Sequence, residues 1–150
     1  MKQLIITFIL AVTFFTGWFI SSAYAKQKQQ QGYILEHEKD IAKEEPAPHN
    51  GGGMSTAFSF FSNATDSKLV FRKRVLHAGA AIGYHLQTQE EIYYIVGGSG
   101  EMTMNNKTFA VQSGDAILTR PGSSHGLKQT GKDDLVVIID YEKENKFYRH

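Results

Sequence analysis

Two histidines and one glutamate stand at fixed distances from glycines, and this spacing constrains the chain more than any other feature. Gly79 lies six residues before His85, Glu91 lies six after it, and Gly98 follows Glu91 by seven. After 15 intervening residues, Gly114 opens a second cluster containing Pro121, Gly122 and His125. In Tyr84-His85-Leu86-Gln87, His85 and Gln87 are two apart, so on a strand their side chains share one face. Thr88-Gln89-Glu90 reads as a tight turn, and Glu91-Ile92-Tyr93-Tyr94-Ile95-Val96 as a β-branched and aromatic strand. Pro121-Gly122-Ser123-Ser124 re-aims the chain ahead of His125. The spacing predicts two imidazoles, an amide and a carboxylate around one point in a small barrel. Such a set suits Mn, Fe, Ni or Zn, and a chain without cysteine has no thiolate to offer.

On these residues the chain resembles a single-domain cupin. The first motif of that family is Gly, five residues, His-x-His, three or four residues, Glu, six residues, Gly. Gly79, His85, Glu91 and Gly98 fit it, and Gln87 takes the place of the second His. The second motif is Gly, five residues, Pro-x-Gly, two residues, His, three residues, Asn. Gly114, Gly122 and His125 fit; Arg120 stands where Pro is usual, with Pro121 one place later, and Gln129 stands for Asn. The resemblance implies an all-β fold, the double-stranded β-helix or jelly-roll barrel. It also implies His85, Gln87, Glu91 and His125 as metal ligands. Manganese is the first expectation, because half of the donor set is oxygen.

Many short strands between Gly-rich or polar turns support the all-β reading. Strands are expected at 57–62, 68–76, 81–86, 91–96, 101–104, 107–111, 115–119, 125–130 and 135–141, with a hairpin turn at Asn105-Asn106. Alternation places Tyr93 and Ile95 inward with Glu91, and Leu127 and Gln129 inward with His125. Met102 and Met104 share a face and read as core. The basic run Phe71-Arg72-Lys73-Arg74 is expected on solvent or at a subunit contact. Arg120 at the barrel mouth, Gln129, and His49 in a Gly-rich arm are candidate substrate-binding residues. His77 is expected to pack or cap a strand end, and His37 and His150 to lie on the surface.

The N-terminus reads differently. Lys2 precedes an apolar run from Leu4 to Ile20, and Ser21-Ser22-Ala23-Tyr24-Ala25 puts alanine at the −3 and −1 places before Lys26. This is the pattern of a secretory signal peptide cleaved after Ala25. The run of 17 residues is near the lower limit for a membrane span, so an uncleaved anchor is the other reading. The expected organisation is a signal peptide at 1–25, a flexible segment at 26–56, the barrel at 57–142 and a tail at 143–150. A periplasmic or secreted protein follows, with no stable membrane association after cleavage. A formal net charge of +1 gives no electrostatic case for nucleic acid.

Two functions remain open. One is a metal-dependent enzyme (dioxygenase, decarboxylase, lyase or isomerase) acting on a small carboxylate or sugar-type substrate, with Glu91 and Tyr93 as catalytic groups. The other is a non-catalytic module that binds a small molecule. A homodimer through residues 55–75, including Phe58, Phe60 and Phe61, is expected because an unpaired strand edge is a liability.

Overall fold

The computed structural model describes residues 32–143. The expected signal peptide, the start of the 26–56 segment and all of the tail beyond Lys143 lie outside them.

A four-residue helix, α1 (Glu38–Ile41), precedes ten strands among the described residues. These are β1 (Ala42–Pro46), β2 (Met54–Phe60), β3 (Leu69–Leu76), β4 (Ala81–Leu86), β5 (Glu91–Gly97), β6 (Ser99–Met104), β7 (Lys107–Gln112), β8 (Ala116–Thr119), β9 (Ser124–Gln129) and β10 (Leu135–Glu142). They form a six-stranded sheet in the order β1-β2-β3-β10-β5-β8 and a four-stranded sheet in the order β4-β9-β6-β7. Every neighbouring pair is antiparallel. The fold is the expected all-β jelly-roll barrel.

The period-2 pattern decides which side chains enter the barrel. On β5, Glu91, Tyr93 and Ile95 are buried while Ile92, Tyr94 and Val96 are exposed. On β9, His125, Leu127 and Gln129 are buried. Leu76, Ile95, Met102, Leu127, Leu135 and Val137 come from both sheets and join one core cluster. Each contributes about 2 kcal/mol by leaving water. Asn105 and Asn106 both take the left-handed conformation, φ 48° and 64°, which suits the expected two-residue hairpin between β6 and β7.

Two expectations are corrected. Residues 42–46 and 54–56, expected in a flexible segment, are strands; β1 pairs with β2 from Ala42↔Phe58 to Pro46↔Met54. The run Ala-Lys-Glu-Glu-Pro carries no apolar alternation because β1 is an edge strand with little to bury. Pro46 is tolerated at its end, where a missing N–H breaks no interior ladder. The basic run on β3 is not wholly on solvent either. Arg74 is buried, donating from Nη1 to Ser55 Oγ at 2.8 Å and from Nη2 to Glu45 Oε1 at 3.1 Å. Those two partners satisfy the guanidinium, which is what permits a charged side chain to turn inward.

Candidate metal centre

A bulge in β4 aims His85. Ile82 pairs with Leu127 and His85 with His125, so Gly83 and Tyr84 together face Gly126 alone. The extra residue shifts the pleat, and His85 enters the face that strict alternation from Ile82 would deny it. Its Nδ1 lies 2.8 Å from the Gly83 carbonyl oxygen. A carbonyl only accepts, so Nδ1 carries the proton and Nε2 keeps its lone pair. This is the orientation a metal-ligating imidazole requires.

Glu91 opens β5 and His125 is the second residue of β9, so strands from opposite sheets bring them together. Donor atoms of His85, Glu91 and His125 all lie within 4.8 Å of one another. His125 is 0% exposed and Glu91 6%. His125 Nε2 and Glu91 Oε2 are 3.0 Å apart, yet neither has a hydrogen-bond partner, because their alignment is wrong for one. Two buried polar atoms that approach closely without bonding to each other point to a common third centre. Buried groups left unpaired are costly, and a divalent ion would satisfy both. The donor set, two imidazoles and a carboxylate, therefore fits a first-row divalent ion.

The other residues singled out by the sequence are distributed as follows. Gln87 is half-buried just beyond β4, and its backbone N–H and carbonyl bond to Ser123 and Gly122 of the turn that precedes His125. The first motif is thereby tied to the second. Tyr93 is 2% exposed and meets the His125 ring edge-on at 5.1 Å. Burial first, and Glu91 second, push its phenol well above the usual range. His49 stacks on His85, with ring centroids 3.6 Å apart and planes within 5°. Burial against its neighbours and the proximity of His85 hold the His49 imidazole below its ordinary pKa.

Two expected substrate-binding residues are placed elsewhere. The Gln129 amide accepts from Gly79 N–H at 2.7 Å and donates to the carbonyls of Gly131 and Asp133 at 2.7 and 2.8 Å. Both of its donors are used, and it sits four residues along β9 from His125, about 13 Å of strand. Its role is to staple loops. Arg120 is exposed and lies 3.7 Å from Glu90, also exposed, instead of reaching the three donors.

Thr119 was not anticipated. It is 1% exposed, pairs directly with Glu91 across β8 and β5, and its hydroxyl has no hydrogen-bond partner. Alternation along β8 marks Thr119 as inward, but a threonine in a strand reads as ordinary β-propensity.

Residues 73–140 match the cupin domain family. Those residues form a cupin domain. This cupin is 37% identical over 67 residues to an oxalate-binding protein of Thermotoga maritima, a match covering 44% of this chain and 55% of that protein. It thus spans about half the length of that curated relative. The crystal structure of a predicted oxalate decarboxylase from Thermotoga maritima aligns with TM-score 0.67 at 26% identity, covering 74% of this chain and 100% of the other. The polyketide cyclase RemF of Streptomyces resistomycificus aligns with TM-score 0.64 over 79% of this cupin and 88% of its own chain. At 19% identity that likeness is one of fold alone.

Proposed function

We propose that this cupin holds a divalent metal ion through His85, Glu91 and His125, with Gln87 as fourth ligand, and captures a small carboxylate on that ion. The observation that carries the reading is the buried, unbonded approach of Glu91 to His125 beside a correctly oriented His85. The relative named for oxalate binding and the structural neighbour named a predicted oxalate decarboxylase support a small carboxylate as ligand. The ion, Mn(II) before Fe, Ni or Zn, supplies Lewis-acid polarisation of the bound oxygens. The protein supplies a largely buried site in which Gly83 orients His85 and Tyr93 packs against His125.

Elemental analysis of protein purified from its native compartment tests this reading. One equivalent of a divalent ion is expected, lost in Glu91→Gln and in His125→Ala. Metal-free wild-type protein that also fails to take up added Mn(II) would overturn it.

A second reading is catalysis on the same class of ligand. Tyr93, edge-on to His125, is the observation that favours it, with Glu91 as base and the Tyr93 phenol as proton donor. Turnover of small carboxylates by wild type, absent in Tyr93→Phe with metal content unchanged, separates catalysis from capture. The proposal includes export. Lys26 as the first residue of protein recovered from outside the cytoplasm is the expected observation.

A further inference from the structure

We infer that His49 is a specificity residue of the metal centre, orienting the second carboxylate of a small dicarboxylate whose first carboxylate sits on the ion. The inference rests on the metal-binding reading and assigns it a ligand class.

His49 is held in place more firmly than a residue of a Gly-rich arm needs to be. Its loop is clamped by backbone hydrogen bonds on both sides: Ala47 N–H to Gly53, Ala81 N–H to Gly52 and Gly83 N–H to Pro48, each 3.0 Å. Contact with β4 is so close that only glycine fits. A Cβ on Gly51 would lie 1.8 Å from the Ala81 carbonyl oxygen, and one on Gly83 would lie 1.9 Å from the His49 carbonyl oxygen. The bulge that aims His85 is therefore the same backbone that seats the His49 loop.

His49 also adopts a conformation that glycine would adopt more cheaply. His49 and Asn50 both have φ 55°. A left-handed non-glycine residue costs about 1 kcal/mol. Three glycines follow immediately at 51–53, so the turn had the residue it needed within reach. A histidine in that conformation points to a use for its side chain. The imidazole lies parallel to His85 while remaining accessible to solvent. It flanks the ring whose Nε2 is free for the ion, and it carries an N–H donor of its own on the solvent-accessible side of the site. A monocarboxylate has no second group for that donor; a dicarboxylate does. A hydrogen bond to a carboxylate is the stronger, charge-assisted kind.

The test uses the full chain loaded with Co(II), whose visible bands report metal binding directly, with oxalate and formate as two-carboxylate and one-carboxylate probes. Metal content after desalting establishes that oxalate has not removed the ion. In His49→Phe, which keeps an aromatic ring on His85 but has no N–H, oxalate affinity is expected to fall about tenfold, while formate and Co(II) affinities stay within about threefold. His49→Asn, which tolerates the left-handed backbone and keeps an N–H donor, is expected to recover part of the loss. Thermal melts of each variant identify any failure to fold. Equal oxalate affinity in wild type and His49→Phe would show that His49 only packs on His85, and would overturn this inference while leaving the metal site standing. No Co(II) binding by wild type would remove both.

Discussion

The side-chain oxygen of Gln129 accepts a hydrogen bond from Gly79 N–H at 2.7 Å, so the last residue of the second motif holds the first residue of the first. The same amide reaches Gly131 and Asp133 in the loop after β9. Gln129→Leu removes all three bonds from a site that is 3% exposed. Stability is expected to fall by about 3 kcal/mol, since backbone groups would be left unpaired out of water. Urea denaturation checks this. Metal uptake of the folded fraction should remain, and its loss would mean that Gln129 also supports the ion.

His77 contributes a pH dependence. Its Nδ1 lies 3.0 Å from Asp134 and its Nε2 3.3 Å from Glu44 and 3.2 Å from the Thr56 hydroxyl. Asp134, then Glu44, raise the His77 pKa, partly opposed by desolvation. Thr56 hydrogen-bonds Glu44 and is the largest influence lowering its pKa, ahead of His77. Folded His77 keeps its proton to higher pH than the unfolded chain does. Its contribution is therefore complete below the unfolded value of about 6.5 and fades as pH rises through the folded value. His77→Gln is expected to cost more stability at pH ~5.5 than at pH ~9. The same cost at both would show that the cluster does not titrate.

Gln87 decides the ligand count. Chelation of a loaded protein should lower its melting temperature, because an ion that binds only the folded state stabilises it by mass action. Gln87→Ala is expected to weaken metal retention. Gln87→His is expected to tighten it, since imidazole is a stronger donor than an amide oxygen. Equal affinities in all three proteins would leave His85, Glu91 and His125 as a three-residue site.

Arg72 behaves oppositely to Arg74. It turns inward on β3, its guanidinium lies 5.9 Å from the Tyr141 ring, and its buried Nε has no hydrogen-bond partner. Replacing an unsatisfied polar group with an apolar one of similar shape is close to neutral or stabilising. Arg72→Met is expected to match or exceed wild-type stability in thermal denaturation, whereas Arg74→Met should lower it by about 2 kcal/mol through loss of its bonds to Ser55 and Glu45.

For the proposed homodimer, an outer face of the six-stranded sheet is a second candidate surface beside residues 55–75. Phe58 lies under the Lys73 ammonium, 4.3 Å from its ring, and Phe60 packs with Phe61 and Phe71, of which Phe71 stays exposed. Leu69, Ile92 and Leu118 remain exposed along an outer groove of about 530 Å³ on the six-stranded sheet. A homodimer through this face is the expected outcome, with Ile92→Glu shifting it to monomer. Light scattering at micromolar concentration reads the mass; a monomeric wild type would exclude it.

The barrel was legible because its signals are local. Alternation along Glu91–Val96 named the inward residues, and Asn105-Asn106 named its hairpin. β1 was not legible, because an edge strand of charged residues buries nothing that periodicity can register. Arg74 was misplaced because a buried charge depends on partners, and Ser55 and Glu45 lie on other strands.

The chemistry of the candidate centre was determined by the sequence itself: residue type and spacing name His85, Glu91 and His125, and the pleat gives Glu91 and His125 their direction, while His85 takes its direction from the β4 bulge. What surrounds them was decided only in three dimensions. The β4 bulge, the His49 ring on His85, the Thr119 hydroxyl opposite Glu91 and the Gln129 staple all depend on contacts between segments far apart in the chain. Periodicity encodes which way a side chain points from its own strand, but not which distant backbone will be folded against it.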